Sequence, residues 1–287
     1  MFNTLRENIE RRLGLAARST TVREDQPIEN LGQWSGRYSR WRGGDNLTNY
    51  PFVQNTYAPF TPMRRALPLL NLALISSAGA YIDGTDAFDT TARDGDANFR
   101  EIPIEVEAAD LRYAARGYDP TAVQQDRNVQ IPIERLQEYE ANSVIGHLNN
   151  IWWSFNGFIP NARLVAEQIA PQMIERLHRY GAQGALLVPA SRLCHQSVSI
   201  LARAIEQSGI PTLIIAVDKG LTESVRPPRA AYYEGEFGSV FGKPNWKEYQ
   251  HRLMDEAIRW LETFDQPGVR KLAVDLGTEV QKERGER

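Results

Sequence analysis

Gly184-Ala-Leu-Leu-Val-Pro-Ala-Ser-Arg-Leu-Cys-His-Gln-Ser-Val-Ser-Ile-Leu-Ala-Arg-Ala-Ile-Glu-Gln-Ser-Gly209-Ile-Pro-Thr-Leu-Ile-Ile-Ala-Val217 decides the fold class. The unbroken apolar run Ala185 to Val188 reads as a buried strand, and Leu213 to Val217 reads as the next one. Between them Val198, Leu201, Ala202 and Ile205 recur at helical spacing, and Gly209 supplies the stop. A strand, helix, strand unit of this kind builds a parallel pair, and its first turn, Ser191 to Gln196, lies beyond the carboxyl end of the first strand, where open α/β sheets bind ligands. Cys194, the only cysteine in the chain, then sits at a helix N-terminus. Unpaired N–H groups and the helix dipole there favour an anion, so the expectation is a thiol of lowered pKa, with His195 assisting. The alternative is a buried, inert cysteine opening an ordinary helix.

Working outward, Asn71 to Ser76 is the first core strand and ends in the turn Ser77-Ala78-Gly79-Ala80. A glycine after a buried strand lets backbone approach a ligand. No Gly-x-Gly-x-x-Gly leads into a helix, so a dinucleotide site has little support. Asp83 to Asp96 reads as a long polar loop, and Ile102, Ile104 and Val106 alternate as a half-buried strand. Asp119-Pro120 opens a turn, and a helix is expected to start at Ile131 or Pro132, with Asp126 and Asn128 able either to cap it or to border a cleft. Trp152, Trp153 and Phe155 precede the turn pair Asn156-Gly157. A helix over Asn161 to Arg179 should kink near Pro171. Arg226-Pro-Pro-Arg229 and the glycine-rich Tyr232 to Pro244 form a second long loop, with Arg229, Glu234 and Glu236 as its polar contributors. Asn245 is placed to cap a last amphipathic helix carrying Tyr249, Leu253, Ala257 and Leu261 on its apolar face.

Composition narrows the class. With 287 residues, 42% of them hydrophobic, the chain can bury a large core. One cysteine excludes an internal disulfide, a Cys-x-x-Cys redox pair and a multi-cysteine metal site. His147, His178, His195 and His251 are scattered, so no metal is expected. Residues 1–60 form an irregular arm: a short amphipathic helix over Thr4 to Ala17, then Trp34, Tyr38, Trp41, Tyr50, Phe52 and Tyr57 among arginines. Such aromatics can stack on bases, but a net charge of -3 argues against nucleic acid, and packing on the chain itself or on a second copy is the expectation. No apolar run approaches the roughly 18 residues that span a bilayer, and MFNTLREN carries no signal-peptide core, so no membrane and a cytoplasmic location are expected.

The run Val188-Pro-Ala-Ser191-Arg-Leu-Cys194-His-Gln-Ser-Val198, followed by a helix and Gly209-Ile-Pro-Thr212, resembles the selenoprotein B family of the glycine, sarcosine, betaine and D-proline reductases, and the D-proline reductase type most. Ser76-Ser-Ala-Gly-Ala80, Gly95-Asp-Ala-Asn-Phe-Arg-Glu-Ile-Pro103, Asp126-Arg-Asn-Val-Gln-Ile-Pro-Ile-Glu-Arg-Leu136, Ile145-Gly146 and Asn156-Gly157 agree in the same order, so the resemblance covers about residues 65 to 265. In that family a selenocysteine stands three residues before the cysteine, and here Ser191 occupies the position. The resemblance implies reductive cleavage of a C–N bond through a selenium adduct, with the cysteine and external thiols regenerating the centre.

The expectation is therefore an α/β protein with a mainly parallel sheet flanked by helices, as an arm (1–60) and two related lobes (61–160 and 161–287) around a cleft. Its function is a selenium-free, thiol-dependent reductase-family enzyme for a small amino-acid-like substrate, needing no bound cofactor but an external thiol reductant, and working with a partner subunit or thiol redox protein or as a homo-oligomer. Cys194, His195 and Ser191 are the expected catalytic residues: nucleophile, proton donor and oxyanion or substrate contact. Gly79, Asp96, Asp126, Asn128, Asn156, Gly157, Arg192 and Gln196 are the expected substrate contacts, with Cys194 open to the pocket they border. The alternative function is a non-catalytic partner subunit that kept the fold.

Overall fold

The computed structural model describes residues 26–274, so the helix expected over Thr4 to Ala17 and the charged tail from Gln281 lie outside the described residues. Ten strands are ordered along the described chain as β1 Asn71–Ser76, β2 Ala80–Ile82, β3 Phe99–Pro103, β4 Leu111–Tyr113, β5 His147–Leu148, β6 Ile151–Phe155, β7 Gly184–Val188, β8 Thr212–Ala216, β9 Arg229–Tyr232 and β10 Gly268–Lys271. Eight of them make one sheet in the order β10-β9-β8-β7-β1-β6-β3, with β5 pairing the start of β1. Every pairing in it is parallel except β3 on β6. β2 and β4 form a separate antiparallel ribbon.

The runs that read as buried strands from their apolar continuity are the central ones, since a parallel strand covered on both faces needs apolar side chains throughout. Leu72 and Leu74 of β1 face one core with Leu186, Val188 and Leu213, whereas Ala73 and Ile75 face the other with Leu187 and Ile214. The alternation is the period of two of an extended chain. Because β1 pairs directly with β7, both expected lobes share this one sheet, and the 160/161 boundary runs between neighbouring strands.

The helices are α1 Leu31–Tyr38, α2 Thr121–Gln125, α3 Ile133–Ala141, α4 Ala162–Leu164, α5 Ala170–Arg179, α6 Arg192–Gln207, α7 Lys219–Val225, α8 Lys247–Ile258 and α9 Trp260–Thr263. α4 runs into α5 through a π-helical turn, Val165–Ile169, just ahead of Pro171, so the regular α-helix is interrupted where the break was expected. The last helix departs from expectation at its start. Asn245 is left-handed, φ 60°, and Trp246 takes the cap position of α8.

The aromatic arm packs on its own chain. Trp34, Tyr38, Trp41 and Tyr50 are buried in the core beneath α6, with Trp34 stacked 5.0 Å from Tyr38 and Trp41 edge-on 5.2 Å from Tyr50. Buried polar groups pin it further. Arg203 of α6 donates to the carbonyls of Pro27 (2.8 Å) and Tyr57 (2.6 Å), and Glu206 accepts the Thr61 N–H. Glu206 also pairs with Arg229, which is wholly buried in β9 rather than contributing to the loop that follows. Burial pushes the Glu206 carboxyl up to about 7, against the pull of Arg229 and the Thr212 N–H. Removing one partner of such a buried pair typically costs about 3–5 kcal/mol.

Candidate active site

Strands β6 and β7, consecutive along the chain, flank β1 on opposite sides in the main sheet. This is a topological switch point, where the turns leaving neighbouring strands diverge and open a crevice at their carboxyl ends. The turns there are Ser77 to Gly79 after β1, Asn156-Gly157 after β6 and Ser191 to Cys194 after β7. Gly157 donates its N–H to the Ser77 carbonyl at 3.1 Å, and a Cβ on it would stand 2.5 Å from the Ser77 Cβ and 2.9 Å from the Cys194 sulfur. Gly79, at φ 67°, would press a Cβ to 2.8 Å from the Ala114 carbonyl oxygen, which also accepts from the Asn156 side chain at 3.0 Å. Glycine is required at both places for the turns to close on each other.

Ser191 is the N-cap of α6. Its Oγ accepts the Cys194 N–H at 3.3 Å and donates to the Cys194 sulfur at 3.0 Å. The sulfur's own proton points to the Ser77 carbonyl, 3.8 Å away. This arrangement corrects the expectation of a lowered thiol pKa. Cys194 is only 1% exposed, and burial pushes its pKa up, outweighing the bonds from Ser191, Ser77 and Ala190 that pull it down. The cap explains part of this, because Ser191 already satisfies the helix N–H that was to hold an anion.

His195 is likewise corrected as a proton donor. It is fully buried, its Nε2 accepts the N–H groups of Val217 (3.0 Å) and Asp218 (3.3 Å), and its Nδ1–H therefore donates to the Ser191 carbonyl at 2.7 Å. Both ring nitrogens are spent tying α6 to the turn after β8, and burial pushes the ring's pKa down to about 4. Gln196 is also wholly buried and bonds to the arm. Arg192 lies outside, 3.3 Å from Asp218 and over the Phe52 ring.

Three expected contacts make their hydrogen bonds outside these turns. Asp96 is engaged within its own loop, accepting from Asn98 and from the Asp89 N–H. Asp126 caps the short turn Arg127–Val129 and accepts from Asn245 and Gln250, while Asn128 accepts the Glu134 N–H of α3, so both serve as caps. Short polar side chains ahead of a helix are stabilised by those free N–H groups.

The residues that close the site were not singled out from the sequence. Tyr118 packs on Ala78, Ala190 and Cys194 and donates its hydroxyl to the Ala78 carbonyl at 2.6 Å. Gly238 donates its N–H to the Ala190 carbonyl at 2.8 Å and lies against the Tyr118 ring, and Phe237, 41% exposed, sets its ring edge-on to His195. These residues cover a sulfur that was expected to open on a pocket. The available signal was Gly117-Tyr118 before Asp119-Pro120 and the glycines of the Tyr232 to Pro244 loop. An open groove of about 1060 Å³ lies elsewhere, lined by Arg37, Arg40, Asn55 and Arg226 among others and by none of the three turns.

The family model for glycine/sarcosine/betaine reductase selenoprotein B matches residues 43–190, ending one residue before Ser191. The D-proline reductase subunit gamma of Acetoanaerobium sticklandii is 29% identical over 209 residues, 73% of this chain and 85% of that protein. The glycine reductase complex component B subunit gamma of Symbiobacterium thermophilum is 26% identical over 60% of this chain and 40% of its own length. The betaine reductase complex component B subunit beta of Peptoclostridium acidaminophilum is 24% identical over 74% of this chain and 50% of its own. No solved structure matches. No helix among the described residues is long and apolar enough to cross a membrane.

Proposed function

The chain belongs to the glycine/sarcosine/betaine reductase selenoprotein B family, and from that premise we propose that it is a selenium-free, thiol-dependent enzyme cleaving a C–N bond of a small, polar, amino-acid-like substrate, with Cys194 as the reacting group. The observation that carries the reading is the placement of the Ser191 hydroxyl 3.0 Å from the Cys194 sulfur where the turns after β1, β6 and β7 meet. In the closed site the thiol is neutral and shielded. Displacing Tyr118 with the Phe237-Gly238 loop behind it, or lifting the Asn156 to Pro160 loop, uncovers it, and solvation or a bound cation then lowers its pKa.

The chemistry balances with an external thiol as reductant. The sulfur forms a bond to the substrate carbon as the C–N bond breaks, and the thiol proton leaves on the nitrogen. An external thiol attacks that sulfur, forming a disulfide, and the carbon departs with the C–S electron pair and takes a proton. A second external thiol releases Cys194. Overall a C–N bond becomes C–H while two thiols become one disulfide. Ser191 donates to the sulfur throughout, and Gly79 and Asn156 shape the wall. A partner subunit or thiol redox protein in the cytoplasm supplies the reductant, in keeping with relatives named as components of reductase complexes.

The test is turnover of glycine, sarcosine, betaine and D-proline with dithiothreitol, alone and with candidate partner subunits. Cys194→Ala should abolish product release while keeping the fold. Equal turnover by Cys194→Ala and parent overturns the thiol chemistry, and no turnover by either under any pairing leaves the chain as a non-catalytic partner subunit.

A further inference from the structure

Tyr50, in the aromatic arm, reaches the thiol site from outside it. Its ring lies in the core beneath α6, and its hydroxyl is part of a buried chain of hydrogen bonds. The Val53 N–H donates to Gln196 Oε1 at 2.7 Å, which fixes the amide orientation. Gln196 Nε2 then donates to the Tyr50 hydroxyl at 2.7 Å, and that hydroxyl donates to the Pro160 carbonyl at 2.7 Å. Gln196 stands two residues after Cys194 on the same helix. Pro160 ends the loop whose Gly157 backs the Cys194 sulfur, a loop bridged internally by Ile159 N–H to the Gly157 carbonyl at 2.9 Å. The hydroxyl of Tyr50 thus bridges the thiol-bearing helix and the loop closed over its sulfur by hydrogen bonds, from a segment 146 residues before Gln196 and 110 before Pro160.

We propose that Tyr50 is a positioning residue for the Cys194 site: by clamping Gln196 to Pro160 it holds the Asn156 to Pro160 loop against the thiol and sets how often the sulfur is uncovered. The bridge leaves Cys194 chemistry untouched and controls access to it, because the loop cannot lift without breaking the buried bond to the Pro160 carbonyl. With phenylalanine at 50, both the carbonyl and the Gln196 amide lose a partner in the closed state, so that state weakens relative to the opened one, in which water satisfies both. The functional meaning of the bridge rests on the thiol-dependent reading, whereas the linkage itself rests on these contacts.

The experiment measures the second-order rate of iodoacetamide alkylation of Cys194 in the full chain under native conditions, for Tyr50→Phe, Gln196→Met, the double variant and Tyr139→Phe. Tyr139 lies in the core on the other face of the sheet and bonds to α8 at the His251 carbonyl, so its variant reports general loosening. Tyr50→Phe should alkylate at least about tenfold faster than parent at pH 7, as expected for the loss of two buried bonds. Gln196→Met should do the same, and the double variant should add little, because both cut one bridge. A rate for Tyr50→Phe equal to parent, or a rise matched by Tyr139→Phe, overturns the proposal, and if Tyr50→Phe does not fold, Gln196→Met alone decides it. Failure of the thiol chemistry would appear instead as undiminished turnover in Cys194→Ala, a readout independent of these rates.

Discussion

Ser191 Oγ stands 3.0 Å from Cys194 Sγ and 3.3 Å from the Cys194 backbone nitrogen, so one hydroxyl both caps the helix and serves the thiol. In the resemblance read from the sequence this is the selenocysteine position. A hydroxyl at that position bonds the cysteine without offering the soft, readily ionised nucleophile that the resemblance implies.

Replacing that hydroxyl separates its two tasks. Ser191→Ala should cost about 1 kcal/mol of stability through the lost cap. It should also raise the Cys194 pKa further, since the Ser191 bond is one of the forces pulling it down. A pH series of alkylation rates for parent and variant, with melting temperatures in parallel, checks both. An unshifted thiol with an unchanged melting temperature would show that the hydroxyl does neither.

Ser191→Cys should restore a redox-active pair. Two sulfurs in place of the present contact, at the N-cap and third position of one helix, need little backbone movement to bond, and cysteine pairs at helix N-termini are typically reactive. Mild oxidation should form an intramolecular disulfide, seen as the loss of two hydrogens in the intact mass and protection from alkylation. Two freely alkylated thiols after oxidation would mean that the turns are too rigid for the bond.

Acid should expose the structural role of His195. Its folded pKa of about 4 lies below the ordinary 6.5, so the neutral ring stabilises the fold fully above 6.5 and this contribution is lost as pH falls from 6.5 toward 4. The melting temperature of the parent should drop across that window. His195→Gln should be less stable at pH 7 and decline less steeply over the same range. Identical slopes would assign the acid sensitivity to other groups.

The sequence announced the middle of the sheet and the turns around it. Apolar continuity marks β1, β7 and β8 because a strand buried on both faces admits little else, and a glycine at φ 92° ends the helix between β7 and β8 at Gly209. Gly79, Asn156-Gly157 and Ser191 were legible as turns after such strands, and they meet. Asp96, Asp126 and Asn128 were not separable from site residues, since a carboxylate capping its own loop and one facing a ligand look alike in one dimension. Burial was hidden too. Part of the cover over Cys194 comes from Tyr118, backed by Gly238, which are distant in sequence and share no periodicity with it.

The tightest point of the site is Gly157, and it offers the last test. Its nearest neighbours are a backbone-fixed Ser77 Cβ, at 2.5 Å from where a Cβ would stand, and the Cys194 sulfur at 2.9 Å. Neither can swing away as a long flexible side chain would, so Gly157→Ala must push the loop off α6 or part the turns after β1 and β6. Overpacking of this kind typically costs about 1–3 kcal/mol. The loop should yield first, because the Gly157 to Ser77 bond holds it less firmly than the ladder holds β1. Gly157→Ala should therefore lower the melting temperature and speed Cys194 alkylation together. Alkylation as slow as in the parent would mean that the strain is absorbed elsewhere and that this loop is not what covers the thiol.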